Sequence, residues 1–314
     1  MYRTYDKYKD KAVMFYSAAS PKDAQQVLDA GANEILVSYH YLRKRKKVFT
    51  EDIMTQIKNN DGVFMTDSGA FSFAVSALKS ATLEEQKREE YWLPYLEEYV
   101  QFLHDYQKYI YVAANLDLDN IVGRDIVDKW NDRYFKPLEK SLNICYVVQK
   151  DVNNVYQDFE GLKRLNEYFK EYEYIAVNAW MKKHSSLIKS RAKILNKRVH
   201  GLAWTHKEVL DDCVFSIDSS TWLMGQRFGT TYKYDGKNFK TLDLKQKWRR
   251  KNYKLEIQSN PSLNYEGIVG DVSKDVTLFN AIQWKGFRDE FVKRANVKLI
   301  NKPVAFYEKS CRKE

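Results

Sequence analysis

Eight short apolar runs alternate with helix-patterned stretches along the first two thirds of the sequence, and this alternation constrains the fold most. The runs are rich in Val, Ile, Tyr and Phe and are nearly continuous, which is typical of strands buried on both faces of a parallel sheet. They are Ala12–Ser20, Glu34–Tyr41, Gly62–Gly69, Tyr109–Asp119, Leu142–Gln149, Tyr174–Trp180, Arg198–Trp204 and Cys213–Ser220. Eight strands joined by helices predict an α/β fold, the (β/α)8 or TIM barrel.

The segments between these runs carry helix signals. Ser20 followed by Pro21 is a typical helix start. Residues 81–106 form a longer helical segment that we expect Pro94 to interrupt. An open doubly wound sheet is the alternative fold. No GxGxxG motif follows the first strand, and this disfavours the dinucleotide-binding version of that fold.

The pattern changes in the last quarter of the chain. A basic stretch, Lys245–Lys254, precedes a helix candidate, Val276–Arg294, whose apolar residues have the spacing that would pack it on a barrel. We therefore divide the chain into a catalytic barrel, 1–240, and a basic, partly helical C-terminal extension, 241–314, packed on that barrel.

Charge narrows the class of partner. The chain has 52 Lys and Arg against 42 Asp and Glu, a net charge of +10. Residues 241–314 hold 16 basic and 9 acidic residues, so +7 of that charge lies in the last quarter. Clustered positive charge favours a polyanionic partner, nucleic acid first. A solvated lysine-rich surface is the alternative.

Hydropathy argues against a membrane protein. Mean hydropathy is -0.62, and no apolar run reaches the roughly 18 residues that a membrane span needs. The first residues, MYRTYDKYKDKAVMFY, contain no hydrophobic signal core. We expect a soluble, cytoplasmic protein with no membrane partner.

The cysteines and histidines give no metal pattern. Cys145, Cys213 and Cys311 form no CxxC pair, which argues against a disulfide framework and a zinc site of the usual spacing. His200 and His206 lack a third ligand at metal spacing, and we interpret them as structural. We expect neither a metal nor a cofactor.

Polar residues mark the predicted strand ends, where the active site of such a barrel lies. They are Asp67, Ser68, Gly69, Asp117, Asp119, Gln149, Asn178, His200, His206 and Asp218. Carboxylates at one mouth suit general acid–base or covalent chemistry, because like charges push their pKa values apart. The alternative for any one of these aspartates is that it caps the next helix.

Two further segments suit phosphate. The basic cluster Arg43–Lys47 follows the second strand, so it would lie on the catalytic rim and could hold a backbone phosphate. A solvated loop is its alternative reading. Gly225, Arg227 and Gly229 form a loop where backbone could approach a phosphate closely.

Four segments of the sequence resemble the signatures of one enzyme family. FMTDSGAFSF, residues 64–73, resembles the DSGG-aromatic-Gln signature of the tRNA-guanine transglycosylase superfamily. NLDLD, YVVQ and FSIDSSTW follow in the order in which that family has its base-reading aspartate, its VQGG strand end and its nucleophilic aspartate. The resemblance covers roughly residues 12–230. The sequence is most similar to the phage-encoded DNA 7-deazaguanine transglycosylases, which share the DSSxW ending and often lack zinc.

The resemblance implies an exchange of guanine in DNA for a free 7-deazaguanine base, in the host cytoplasm if the chain is phage-encoded. Asp218 would be the nucleophile and Asp67 the general acid and base, while Asp117 and Gln149 would bind the purine edge and Phe71 would stack on its ring. The other expected substrate-binding residues are Ser68, Gly69, Asn178, Gly201 and Arg227. The expected nucleic-acid-binding residues are Arg43, Lys44, Arg45, Lys47, Lys245, Lys247, Arg249 and Arg250.

The sequence departs from the family in its base-recognition elements and in its zinc module. Ala70 and Ser72 replace a signature glycine and glutamine, and Asn178-Ala179 replaces a Gly-Gly pair. Cys311 is the only cysteine after the barrel, so the Cys-rich zinc insertion that clamps tRNA is missing. The alternatives are a tRNA enzyme without its zinc module and a catalytically inactive barrel that binds nucleic acid.

Overall fold

The chain folds into a closed barrel of eight parallel strands. The computed structural model describes residues 12–44, 49–77, 81–149, 157–205, 215–223, 230–243 and 273–300. Neighbouring strands pair in sequence order, and β8 pairs with β1 to close the sheet. The strands are β1 (Val13–Ala18), β2 (Glu34–Ser38), β3 (Val63–Asp67), β4 (Ile110–Ala114), β5 (Asn143–Val148), β6 (Tyr174–Val177), β7 (Arg198–Gly201) and β8 (Ser216–Ser219). The predicted (β/α)8 barrel is confirmed, and each strand lies within the run predicted for it.

The apolar runs extend past the strands at their carboxyl ends. β2 ends at Ser38, and a short helix already begins at Tyr39. β4 ends at Ala114, yet Leu116 and Leu118 beyond it are buried. Burial beneath the loops at the barrel mouth therefore prolongs the apolar pattern where strand pairing has stopped.

Helices cover the outside of the barrel. In the described ranges they are α1 (Pro21–Asp29), α2 (Tyr39–Leu42), α3 (Thr55–Asn59), α4 (Ala70–Ala77), α5 (Leu83–Gln86), α6 (Glu89–Tyr106), α7 (Asp119–Val122), α8 (Arg124–Trp130), α9 (Gln157–Glu171), α10 (Ser185–Ile194) and α11 (Ser273–Ile300). The expectation that Pro94 interrupts a helix is wrong, since α6 runs through it. The break lies at residues 87–88, between α5 and α6, and a capping box of Thr82 and Glu85 begins α5 as a separate short helix.

Alternate residues of each strand point into the barrel, because successive side chains of a strand face opposite sides. One cluster of buried residues within the barrel is apolar and contains Val13, Phe15, Leu36, Val63, Met65, Tyr111, Val112, Ala114, Cys145, Val147, Tyr174, Ala176 and Phe215. A larger apolar cluster lies between the strands and the surrounding helices. The filled interior leaves the carboxyl ends as the place for polar side chains.

A β-hairpin and a long helix follow the eight barrel strands. β9 (Thr230–Tyr234) and β10 (Phe239–Asp243) form an antiparallel hairpin that is not among the strands predicted from the sequence. The domain boundary placed after residue 240 therefore falls inside β10. The predicted helix at 276–294 is confirmed within the longer α11, which lies against α1 and β1 and buries Trp284, Phe287 and Phe291. Within the described ranges, no helix combines the length and apolarity that crossing a membrane requires.

Candidate active site at the carboxyl ends of the strands

The inward-facing positions become polar at the carboxyl ends of the strands. Phe15 on β1 is followed two residues later by Ser17, Met65 on β3 by Asp67, and Ser216 on β8 by Asp218. The strand registers place Ser38 opposite Asp67 and Phe15 opposite Asp218. The period of two along each strand thus brings Asp67 and Asp218, far apart in sequence, to one barrel mouth.

Asp218 is contacted by polar groups from three different segments. The Ser17 hydroxyl donates to its Oδ2 at 2.8 Å, and the Ala203 amide donates to its Oδ1 at 2.8 Å. His200 Nε2 lies 3.4 Å from the same Oδ1. Burial alone would raise the pKa of Asp218, but these contacts outweigh burial and lower it below the ordinary value. Asp218 is therefore kept ionised.

Two local features hold these donors in place. Ala203 has a φ of 56°, a left-handed conformation that is uncommon for a residue with a side chain, and it directs its amide at Asp218. The Trp222 indole donates to the Ser17 carbonyl at 3.2 Å, and its ring packs edge-on against Tyr16. The tryptophan of the DSSTW segment thereby fixes the strand end that carries Ser17.

Asp67 has the opposite electrostatic setting. The Gly69 amide donates to its Oδ1 at 2.7 Å. Burial raises the pKa of Asp67 and the negative charge of Asp218 raises it further, whereas the Ser38 hydroxyl and the Gly69 amide lower it without prevailing. The carboxyl group therefore favours its protonated form more than an exposed aspartate does.

The turn after Asp67 requires its glycine. Gly69 has a φ of 70°, and a Cβ built there would lie 2.7 Å from the His40 amide nitrogen and from Ser38 Oγ. The Tyr95 hydroxyl donates to the Ser68 carbonyl at 2.6 Å, which anchors the turn to α6. Any larger residue at position 69 would displace the loop that positions Asp67.

A chain of hydrogen bonds links the ends of β3, β4, β5 and β6. Ser68 Oγ donates to Asp117 Oδ1 at 3.2 Å, and Gln149 Nε2 donates to Asp117 Oδ2. Asn178 Nδ2 donates in turn to Gln149 Oε1 at 3.3 Å. Burial raises the pKa of Asp117 to about 7, and the Gln149 hydrogen bond opposes this rise. Near neutral pH, Asp117 can thus accept or donate a hydrogen bond.

Two expected site residues have structural surroundings. Asp119 lies 3.5 Å from the guanidinium of Arg164, which also makes a bidentate ion pair with Asp128. Burial raises the pKa of Asp119 to about 6 despite that neighbouring cation. A Cβ on Gly201 would lie 2.8 Å from the Trp204 ring, so this glycine is needed for packing.

In the basic cluster after β2, one cation is already paired within the protein. Arg43 donates to Glu98 at 2.7 Å, and its guanidinium lies 5.4 Å and 5.1 Å from the ring centroids of Phe73 and Tyr95. Lys44 beside it is exposed. The other expected nucleic-acid-binding residues, together with Arg227, His206 and the side chain of Phe71, lie outside the described residues.

The sequence analysis did not assign Ser17, Ala203, Tyr174 or Ser216 to the site. Ser17 and Ser216 occupy inward positions of β1 and β8, so the period of two could have identified them once the barrel was assumed. Within the described residues, no group of three or more His, Cys, Asp and Glu side chains is placed to hold a metal ion.

Comparison with known proteins adds the following. No family model matches the chain, and no curated protein matches it either. One solved structure, described as a "putative fructose-1,6-biphosphate aldolase" from Coccidioides immitis, is 10% identical, with a TM-score of 0.38 over 93% of this chain and 96% of that one. A likeness this distant says nothing about the reaction.

Proposed function

We propose that the protein is a glycosyltransferase that exchanges guanine in DNA for a free 7-deazaguanine base. One observation carries the proposal: two carboxyl groups at one barrel mouth have pKa values displaced in opposite directions, that of Asp218 down and that of Asp67 up. Such a pair combines an ionised nucleophile with an acid that keeps its proton to higher pH than an exposed aspartate does. The resemblance of the DSGAF and IDSSTW segments to a transglycosylase family supports the same assignment.

In the first half-reaction, Asp218 attacks C1′ of a deoxyguanosine. A bond forms between Oδ2 and C1′ while the bond from C1′ to N9 breaks, and the leaving guanine takes a proton from Asp67. We assign the attack to Oδ2 because Oδ1 is contacted by both Ala203 and His200, whereas among the described residues Oδ2 accepts from Ser17 alone. The product is an ester between the sugar and the enzyme, with Asp67 ionised.

In the second half-reaction, the ionised Asp67 removes the N9 proton of the incoming 7-deazaguanine. Its N9 attacks C1′, the ester bond to Asp218 breaks, and both carboxyl groups return to their starting states. One acid–base group thus serves both directions of the exchange, and the proton balance closes without a further reactant.

Base selection is proposed to lie on the opposite side of the mouth. Asp117 and Gln149 are already joined by a hydrogen bond, and Asn178 extends the chain by a third polar group. A purine edge would have to satisfy these groups, since each one left unpaired in a buried site costs about 1–3 kcal/mol. This is how the pocket would discriminate guanine from adenine.

A guanine within a duplex could not reach this mouth. The reacting carbon must approach Asp218, which is only 9% exposed and lies within the ring of strands. The enzyme would therefore flip the nucleotide out of the helix or act on single-stranded DNA.

Exchange of labelled guanine tests the proposal. Purified protein is incubated with single-stranded DNA or with tRNA, each carrying labelled guanine, and a 7-deazaguanine base is added. The nucleosides of each polymer are then measured by mass spectrometry after digestion. We expect release of label and appearance of 7-deazaguanine in DNA. Modification of tRNA alone would replace DNA by tRNA as substrate, and release from neither polymer would contradict the proposal.

A further inference from the structure

Beneath Asp218, three buried side chains form a continuous polar line inside the barrel. His200 Nδ1 lies 2.7 Å from Ser216 Oγ, and Ser216 Oγ lies 2.6 Å from the Tyr174 hydroxyl. The other imidazole nitrogen, Nε2, lies 3.4 Å from Asp218 Oδ1. His200 and Ser216 are fully buried and Tyr174 is 2% exposed. The line therefore runs from the apolar interior to the carboxylate without bulk solvent beside it.

The direction of the hydrogen bonds along this line follows from counting protons. Within the described residues, Ser216 Oγ is the one polar partner of the Tyr174 hydroxyl. If the Tyr174 hydroxyl donates to Ser216, the Ser216 hydroxyl is free to donate to His200 Nδ1, and both hydroxyl protons have an acceptor. In the reverse direction, a proton on Nδ1 would point at Ser216 Oγ and leave one of the two hydroxyl protons, that of Tyr174 or that of Ser216, without an acceptor in a buried site, which is unfavourable.

The surroundings of the imidazole support this direction. The His200 ring lies 6.1 Å from the Phe15 ring between centroids, and Ser216 and Asp218 are the polar side chains in contact with its nitrogens in the described part of the chain. With Nδ1 accepting from Ser216, the ring proton sits on Nε2 and points toward a carboxylate. The contact of 3.4 Å is long for a hydrogen bond, as such contacts often are before a substrate binds.

We propose that Tyr174 and Ser216 hold His200 as the Nε2–H tautomer, and that His200 acts as a positioning residue that orients Asp218 through Oδ1. The fixed carboxylate then presents Oδ2 for attack. This second part rests on the proposed function, whereas the tautomer does not. The arrangement assigns to two residues below the site a role that neither fulfils by touching substrate.

The tautomer can be measured without any reaction. Long-range ¹H–¹⁵N correlation spectra of ¹⁵N-labelled protein distinguish a protonated from an unprotonated ring nitrogen, and the His200→Gln variant assigns the signals. We expect Nε2 protonated and Nδ1 unprotonated in the native chain. In Tyr174→Phe, which removes one hydroxyl and keeps the ring, we expect signals of both tautomers. A native His200 with its proton on Nδ1, or a Tyr174→Phe spectrum identical to the native one, would overturn the proposal.

A kinetic readout tests the positioning role. Formation of the DNA adduct in a single turnover should slow in Tyr174→Phe and Ser216→Ala by about 10- to 100-fold, the range found when the hydrogen-bond partner of a metal-bound histidine is removed. In steady-state exchange, the KM of each variant for DNA should equal that of the native chain, because neither residue contacts the substrate.

Tyr146→Phe is the matched control. Tyr146 also lies on a barrel strand, β5, but its hydroxyl donates to Glu139 and is not part of the polar line that ends at Asp218. Loss of the Tyr146 hydroxyl should therefore change neither the His200 tautomer nor the rate of adduct formation. A native protein that exchanges no base but shows the expected tautomers would contradict the proposed function alone. Exchange that is active and unaffected by both Tyr174→Phe and Ser216→Ala would contradict the positioning role alone.

Discussion

The carboxyl groups on the two sides of the barrel mouth differ in their hydrogen-bond partners and in the direction of their pKa shifts. On the β8 side, Asp218 is contacted by a hydroxyl, a backbone amide and an imidazole, and its pKa falls. On the β3 and β4 side, Asp67 and Asp117 are enclosed with weaker compensation, and their pKa values rise. Burial is common to both sides, so what separates them is the set of donors aimed at each carboxylate.

Under the proposed function, this difference assigns two chemical roles to residues of one type. A carboxylate that is kept ionised can attack carbon, and a carboxyl group that retains its proton can protonate a leaving base. The barrel needs no special residue type for either task. The changes below are ranked by how strongly each should disturb the contrast between the two sides.

Asp218→Asn should have the largest effect. An amide cannot act as the nucleophile at C1′, so exchange of labelled guanine should fall to background and no covalent DNA adduct should form. Denaturing gels of protein mixed with DNA would show the adduct in the native chain alone. Asp125→Asn makes the same change on an exposed helix start and should leave exchange unaltered. Full exchange by Asp218→Asn would move the nucleophile elsewhere.

Asp67→Asn should be the next largest. Loss of general acid–base catalysis costs about 10²- to 10⁴-fold in rate, while the geometry of Asp218 is preserved. Because the pKa of Asp67 is raised, the native rate should fall as pH rises through that pKa and the acid form is lost. The residual rate of Asp67→Asn should lack this alkaline limb, as pre-steady-state exchange measured over a pH series would reveal. An unchanged limb in the variant would assign the acid to another group.

Asp117→Asn should alter stability as a function of pH. The pKa of Asp117 is about 7 in the folded protein and 3.8 in the unfolded one. Its contribution to stability is therefore complete below the unfolded pKa and is lost as pH rises through the folded pKa, each pKa unit being worth about 1.4 kcal/mol. The asparagine variant removes this titration. Urea unfolding at several pH values should show the variant gaining stability relative to the native chain between about pH 4 and 7. Parallel curves for the two proteins would contradict the raised pKa.

The smallest effect concerns the rim. Lys44 is exposed, whereas Arg43 is paired with Glu98 and packed on aromatic rings. Lys44→Gln should reduce the slope of log affinity for DNA against log salt by about one. Arg43→Gln should leave that slope nearly unchanged and lower the unfolding midpoint instead. Equal slopes for the native chain and Lys44→Gln would remove this side of the rim from the DNA path.

Much of the fold could be predicted from the sequence. Runs of apolar residues identify all eight barrel strands, and Asp67 and Asp218 lie at the carboxyl ends of β3 and β8 as predicted. The period of two along each strand is a local property, so it survives without knowledge of the tertiary structure. The overestimated strand ends show its limit, since buried loop residues such as Leu116 have the same composition as strands.

The electrostatic contrast could not be predicted in this way. Ser17 reaches Asp218 across 201 residues of chain, and this contact exists only because β8 pairs with β1. The Ala203 amide depends on a left-handed backbone conformation at a residue whose type gives no sign of it. The sequence analysis interprets His200 as structural because no third metal ligand accompanies it, yet its ring lies against the Asp218 carboxylate. Such contacts follow from barrel closure rather than from local pattern.

Mapping the covalent adduct tests the central claim most directly. The native chain is mixed with guanine-containing single-stranded DNA in the absence of an incoming base, digested with protease and nuclease, and its peptides are sequenced by mass spectrometry. The account predicts a deoxyribose attached to the peptide that contains Asp218, with guanine released in equal amount. A sugar on any other residue, or released guanine with no sugar bound to protein, would contradict it.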